Sequence, residues 1–324
     1  MHDIALIGAG NLGRRHIEGL LRLPQEKSIW VVDASPTSLE EARRLASPEG
    51  NGSPGNRMAF HTSIADLPEK LDYVVIATSS NVRLDVMEQL LGGRTVRYML
   101  LEKVLFQHKA DYAAAAALIA RKGAKVWVNT ARRAMDIHQT IRQHFDGEII
   151  NHFDVRGGEW GLGCNGIHFI DFLSFLVRST NLTVSADGLD RSIIASKRPG
   201  FGEFTGTLRG RIDAAEFALS ATRGSTAPIL ITIRSENRTC ILDEASGHAF
   251  IHDRKSDPVW KEICFTLPFV SSLSTKIAEA ILTTGQSDLP DFATSSALHL
   301  PVIDALADFS VEYCGGTPGL APIT

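Results

Sequence analysis

Three groups of residues have the types and spacing to carry chemistry. The first is Gly8-Ala9-Gly10-Asn11-Leu12-Gly13, a G-x-G-x-x-G run between the apolar stretch Ile4–Ile7 and an amphipathic segment, Arg14–Leu21. Asp33 ends the next apolar run, twenty residues past Gly13. Gly8 permits a tight turn, Gly10 leaves room for a pyrophosphate, and Gly13 lets a helix lie close to a sheet. The N–H groups of Asn11, Leu12 and Gly13, at the positive end of that helix, suit phosphate oxygens. Asp33 would accept hydrogen bonds from both hydroxyls of an adenosine ribose and repel a 2′-phosphate. NAD(H) is therefore expected, with NADP(H) disfavoured.

The second group follows two later apolar runs. Thr78-Ser79-Ser80-Asn81 offers small hydroxyls to the same cofactor at Thr78 and Ser79, with Asn81 expected to cap the next helix. A plain capping turn is the competing reading. Glu102-Lys103 ends another run. A lysine at the carboxyl end of a buried parallel strand points into the ligand crevice or snorkels out of it. There it can polarise a hydroxyl or carbonyl oxygen, with Glu102 anchoring the strand end. The third group is Asn165, His168 and Asp171, spaced three apart and read as one polar helix face. A histidine among apolar neighbours is usually a core residue. This one has two polar companions, and its near-neutral pKa suits proton exchange with an alcohol. No second histidine or acid completes a metal ligand set around it, so no metal is expected. Arg132 and Arg133 could bind a carboxylate or phosphate, or form structural ion pairs.

Alternating strand and helix signals position the first two groups. Ser35-Pro36 opens a helix to about Ala46, residues 47–57 form a polar Gly/Pro loop, and Met58–Phe60 is a short strand. Strand Leu71–Ala77, helix Val82–Leu91, strand Tyr98–Glu102, helix Asp111–Arg121 and strand Lys125–Asn129 complete a doubly wound parallel sheet over residues 1–130. The pattern then changes. A helix over Ala131–Phe145, a strand over Glu148–Arg156, a glycine-rich loop over Gly157–Gly163 and an apolar helix over Asn165–Val177 lead into successive short strands, Thr183 to Phe265. Helices Ser271–Leu282 and Thr294–Tyr313 close the chain. Residues 131–324 are thus expected to form a second α/β domain with an open, mostly antiparallel sheet.

The 324 residues are 44% hydrophobic and 22% charged, with a net charge of −4. That balance is ordinary for a soluble globular protein and gives no pull toward nucleic acid or a membrane surface. No apolar run reaches the ~20 residues that span a bilayer, and the N-terminus lacks a signal-peptide pattern. The four scattered cysteines, Cys164, Cys240, Cys264 and Cys314, form no C-x-x-C pair. A cytoplasmic protein with reduced thiols is expected.

Taken together, Gly8/Gly10/Gly13, Ala77–Asn81, Glu102-Lys103 and Gly166–Asp171 resemble the Gfo/Idh/MocA oxidoreductases, over nearly the whole chain. The resemblance implies an N-terminal Rossmann domain and a C-terminal α/β domain whose open sheet often makes homodimers or homotetramers. It implies NAD(P)-dependent oxidation or reduction of a sugar, sugar derivative or cyclitol at a secondary carbon, with Lys103 and His168 catalytic. Asn165, Asp171, Arg132 and Trp160 would then serve the substrate, and Cys164, Asn165 and Trp160 resemble members tied to bacterial surface sugars. Two departures stand out. Val104 replaces the family's usual proline, so a trans Lys103–Val104 bond is expected, and Cys164 replaces an aspartate four residues before the histidine. These departures keep a non-catalytic dinucleotide- and sugar-sensing protein as the alternative. A dehydrogenase for an imine or bilin substrate on the same scaffold, with no need of His168, is a third reading.

Overall fold

The computed structural model describes residues 1–46 and 57–324; the polar loop read over 47–57 lies, except for Arg57, outside the described residues. The chain divides into two units. The first comprises Met1–Phe106, Ala110–Asn129 and Pro268–Ala293; the second comprises Gln107–Lys109, Thr130–Leu267 and Thr294–Thr324. The boundary at Asn129/Thr130 lies one residue from the expected one. The assignment of everything after residue 130 to the second domain needs correction, because Pro268–Ala293 returns to the first unit.

In the first unit, β1 (His2–Ile7), β2 (Lys27–Val32), β3 (Arg57–His61), β4 (Lys70–Ile76), β5 (Thr95–Leu101) and β6 (Lys125–Val128) form one sheet in the order β3-β2-β1-β4-β5-β6. Every pairing is parallel. Its strands are continuous apolar runs because both faces are covered: Ile4, Leu6, Ile29, Val74, Ile76 and Leu100 are fully buried. The crossovers carry α1 (Asn11–Leu21), α2 (Pro36–Ala46), α3 (Arg83–Gly93) and α4 (Lys109–Lys122). Ser35 caps α2 as expected, its Oγ accepting the Ser38 N–H at 3.3 Å. Asn81 does not cap α3. Its Oδ1 accepts the Ser79 hydroxyl at 2.7 Å instead, and the helix starts two residues later.

The second unit holds α5 (Asp136–His144), β7 (Ile150–Gly157), α6 (Leu162–Val177), β8 (Leu182–Leu189), a two-stranded ribbon of β9 (Ile194–Ala195) and β10 (Gly202–Glu203), then β11 (Gly206–Ile212), β12 (Ala215–Ala221), β13 (Leu230–Ser235), β14 (Arg238–Asp243), β15 (His248–Asp253) and β16 (Asp257–Cys264). The large sheet runs β16-β15-β14-β13-β7-β12-β11-β8 and is antiparallel except where β7 meets β12. Alternation sends Phe153, Leu208, Leu219, Ile233, Cys240 and Leu242 inward. Burial pushes the Cys240 thiol up to about 12, so it is an inert core residue. The other face keeps Leu230, Phe250 and Trp260 exposed. The segment read as one helix over Ala131–Phe145 is a single 3₁₀ turn, Ala131–Ala134, followed by α5.

The two closing helices are α7 (Val270–Thr284) and α8 (Phe292–Cys314). The first packs against α1 so tightly that a Cβ on Gly19 would lie 2.4 Å from the Ser271 carbonyl oxygen. That contact is why the late segment belongs to the first unit. Among the described residues, no helix is long and apolar enough to cross a membrane.

Candidate functional site

In the first unit the parallel ladder continues one residue past the strands. Gly8 N–H donates to Val32 O at 2.8 Å, Ala77 to Ile7 at 2.8 Å, Glu102 to Ile76 at 3.0 Å and Asn129 to Leu101 at 2.9 Å. The glycine turn, Asp33, Thr78 and Lys103 therefore leave the sheet along one edge, the carboxyl edge. The order reverses between β1 and β4, which makes this the topological switch point where open α/β sheets bind ligands.

The glycine turn fits a dinucleotide phosphate by direct steric test. Gly8 has φ +98°, and a Cβ there would lie 2.8 Å from the Ala77 carbonyl carbon. A Cβ on Gly13 would lie 1.8 Å from Gly8 O, so α1 can sit this close only with glycine. A Cβ on Gly10 would meet nothing within 4 Å. Gly10 is the N-cap of α1 and supplies no side-chain cap, so the first N–H groups of the helix face open space. Asp33 holds the turn together. Its Oδ2 accepts Ala9 N–H at 2.6 Å and its Oδ1 accepts Ser35 N–H at 2.7 Å, which leaves further lone pairs on a half-buried carboxylate for a ribose.

Glu102 is almost fully buried behind Lys103. His16 Nε2 lies 2.8 Å from Glu102 Oε1, Asn129 Nδ2 donates to the same oxygen at 2.5 Å, and the Ser274 hydroxyl lies 2.9 Å from His16 Nδ1. Burial alone would raise the Glu102 carboxyl. The hydrogen bond and charge of His16, the Asn129 amide and the Lys103 charge outweigh it and hold the group below the ordinary range. A buried carboxylate thus sits beside Lys103, tied to the helix that carries the glycine turn. Thr78 Oγ1 is buried and has no hydrogen-bond partner among the described residues.

The Lys103–Val104 bond is cis, not trans as expected. The turn is enclosed by Arg83, a fully buried guanidinium that sequence reasoning passed over. It donates to the carbonyls of Thr78, Val104 and Leu105 and so clamps the β4 and β5 exits together. Val104 itself is buried, as an apolar side chain in that place should be. The signal for Arg83 was faint: one cation opening a helix that also carries Asp85, Glu88 and Gln89.

In the second unit, α6 begins at Leu162, three residues earlier than expected, inside the glycine-rich loop. Gly161 turns the chain with φ +78°, and the missing cap comes from afar. Glu203 of β10, a buried carboxylate, accepts Gly163 N–H at 2.8 Å and Cys164 N–H at 3.2 Å. No local pattern could have shown this partner, forty residues away.

Asn165, His168 and Asp171 do not share one environment. Each step of three residues falls about 60° short of a full turn, so two steps rotate Asp171 about 120° from Asn165. Asn165 and His168 are half-buried, whereas Asp171 is 1% exposed. Both Asp171 oxygens are taken by Arg133, at 2.8 and 2.7 Å. Burial pushes this carboxyl up against the pull of Arg133. Asn165 Nδ2 donates to Trp160 O at 2.9 Å, and the Trp160 indole donates to Ser220 O at 2.8 Å while its ring meets Phe169 edge-on. Arg132 forms a two-pronged pair with Glu244, at 2.9 and 2.6 Å, and lies over the Phe169 ring. His138 adds a 2.9 Å contact to Glu244. Of the two roles open to Arg132 and Arg133, the ion pairs are the ones formed.

Residues 2–130 match the model of the Gfo/Idh/MocA family, described as an oxidoreductase family with an NAD-binding Rossmann fold. Among solved structures, the chain is similar to UDP-N-acetylglucosamine 3-dehydrogenase GnnA from Acidithiobacillus ferrooxidans (TM-score 0.71, 14% identity, covering 94% of this chain and 96% of that one). It is similar to an oxidoreductase from Agrobacterium radiobacter in complex with NAD+, L-tartaric acid and magnesium (TM-score 0.72, 15% identity, 94% and 95%). Biliverdin reductase from Synechocystis sp. PCC 6803, in complex with biliverdin and NADP+, has a TM-score of 0.68 at 17% identity over 97% and 99% of the two chains. At these identities the likeness is one of fold. A search of curated protein sequences found no match.

Proposed function

We propose that this chain, whose residues 2–130 match the Gfo/Idh/MocA model of oxidoreductases with an NAD-binding Rossmann fold, transfers hydride to or from a secondary carbon of a sugar, sugar derivative or nucleotide sugar. NAD(H), when bound on the Gly8–Gly13 turn and Asp33, supplies or accepts the hydride. Lys103 polarises the reacting oxygen, and His168 takes the proton in oxidation or gives it in reduction. Asn165 and the face of Trp160 contact substrate hydroxyls. Asp171 and Arg132 are positioning residues: buried or ion-paired, they steady α6 and its neighbours rather than touch the sugar. Thr78 contributes its buried hydroxyl on the cofactor side, and Ser79 and Asn81 border the same turn. The proposal includes a cytoplasmic homodimer or homotetramer with neither nucleic acid nor membrane as partner.

One observation carries this reading. The β5 exit places Lys103 against the buried Glu102–His16–Asn129 network, on the same sheet edge as the glycine turn. A half-buried cation whose charge is felt by a buried carboxylate supports a role in polarising a reacting oxygen. The test is a screen of sugars and nucleotide sugars with NAD+ and NADH, followed by Lys103→Ala and His168→Ala on the best substrate. Each should lower kcat by about 10²–10⁴-fold with NADH binding retained. Unchanged turnover in both variants would refute the assignment, and hydride exchange with no tested sugar would favour the sensing alternative.

A further inference from the structure

A second cluster with ligand chemistry lies on the open face of the large sheet. His248 and Cys264 are direct cross-strand partners in the β15–β16 pair, and Glu262 stands two residues before Cys264 on the same face. His248 Nδ1 lies 2.6 Å from Glu262 Oε1 and 3.8 Å from Cys264 Sγ. The three candidate ligand atoms fall within 4.8 Å of one another. We propose that His248, Glu262 and Cys264 form a Zn²⁺-binding site.

The chemistry follows from the donor set. One imidazole, one carboxylate and one thiolate are the mixed N, O and S ligands that suit tetrahedral zinc better than Mg²⁺ or Ca²⁺, which prefer oxygen alone. Metal–ligand distances of about 2.0–2.3 Å put tetrahedral donors roughly 3.3–3.8 Å apart. The sulfur–nitrogen separation already matches. The nitrogen–oxygen pair is closer because a hydrogen bond spans it, and the metal would take that proton's place while the two half-exposed side chains open slightly. The backbone need not move: the strand ladder sets the register, and Phe265 N–H closes it on Gly247 O at 2.8 Å.

A fourth position remains for water or for Asp243, which pairs with His248 from β14. Asp243 uses Oδ1 for the N–H groups of Ala245 and Ser246, at 3.0 and 3.1 Å, and also accepts the Ser246 hydroxyl, which the metal would have to displace, so water is the simpler fourth ligand. The thiolate and the Glu262 carboxylate together match the charge of the ion. The sequence hid this set because its members are 14 and 16 residues from His248, and only the strand pairing joins them.

The test is titration of the reduced, full-length, metal-free protein with Co²⁺ and then Zn²⁺, for the parent chain and for Cys264→Ser and His248→Ala. One Co²⁺ per chain is expected, with a near-ultraviolet thiolate-to-metal absorption that Zn²⁺ abolishes by displacement. Both variants should keep the parent's melting temperature in the absence of metal. Each should lose Zn²⁺ affinity by about tenfold or more, and Cys264→Ser should lose the absorption as well. Absence of that absorption in the parent, or Zn²⁺ affinity unchanged by Cys264→Ser, would overturn the proposal.

Discussion

Alanine at Gly10 and alanine at Gly13 should fail in opposite ways, although the two positions lie three residues apart in one turn. At Gly10 an added Cβ meets nothing within 4 Å, and the residue already has φ −65°. Folding should therefore lose no more than about 1 kcal/mol, the usual difference between glycine and alanine at an N-cap. The space the methyl enters is the space a pyrophosphate needs, so NADH binding should weaken at least tenfold, or by about 1.4 kcal/mol. At Gly13 the added Cβ would stand 1.8 Å from Gly8 O, a backbone atom that cannot rotate away. Alanine returns about 1 kcal/mol of helix propensity there, but forced overlap in a packed site costs roughly 1–3 kcal/mol, with a backbone clash at the upper end. A net loss of about 1–2 kcal/mol should lower the melting temperature by roughly 2–8 °C. Thermal melts read the stability arm, and titration of NADH followed by calorimetry reads the other. If Gly10→Ala bound NADH within twofold of the parent, the phosphate would not lie where the turn points. If Gly13→Ala melted like the parent, the tight approach of α1 would not hold.

Three further expectations follow from the same geometry. Asp33→Asn keeps one oxygen for the turn and removes the negative charge, so the NADPH-to-NADH affinity ratio should rise at least tenfold, a shift of about 1.4 kcal/mol; an unchanged ratio would remove Asp33 from cofactor selection. The Glu244 carboxyl is held at about 2: burial opposes ionisation, but Arg132 and His138 outweigh it. Because its folded value lies below the ordinary 4.5, its stabilisation is complete above pH 4.5 and fades as pH falls toward 2. Glu244→Gln should therefore cost on the order of 3 kcal/mol at neutral pH, with the gap to the parent narrowing through that window in urea melts. Glu203→Ala leaves two α6 N–H groups uncapped and should destabilise the protein by about 1–2 kcal/mol, which denaturant unfolding can check.

Much of the first unit was legible in the chain itself, because its logic is local. A strand, a glycine turn, a helix and an acid at fixed distance follow one another without a gap, and burial on both faces leaves continuous β-branched runs that can be read directly. Lys103 could be placed for the same reason: strand periodicity alone puts it at a carboxyl end. The misreadings came where a distant partner decided the outcome. α6 starts early because Glu203 caps it from β10, Asp171 turns inward because Arg133 waits there, and Asn81 gives its side chain to Ser79 rather than to a helix.

What the amino-acid order determined by itself, then, was the kind of sheet and the glycine turn at its carboxyl edge, with Lys103 and His168 offered as candidates for the chemistry. Only the tertiary structure decided that Pro268–Ala293 returns to the first unit, that His16 and Ser274 stand behind Glu102, and that His248, Glu262 and Cys264 share one patch of sheet. The physical reason is separation along the chain. Helix and strand periods place near neighbours, but side chains 14 to 258 residues apart meet only when strand pairing and burial of apolar surface bring their elements together, and no local pattern encodes that encounter.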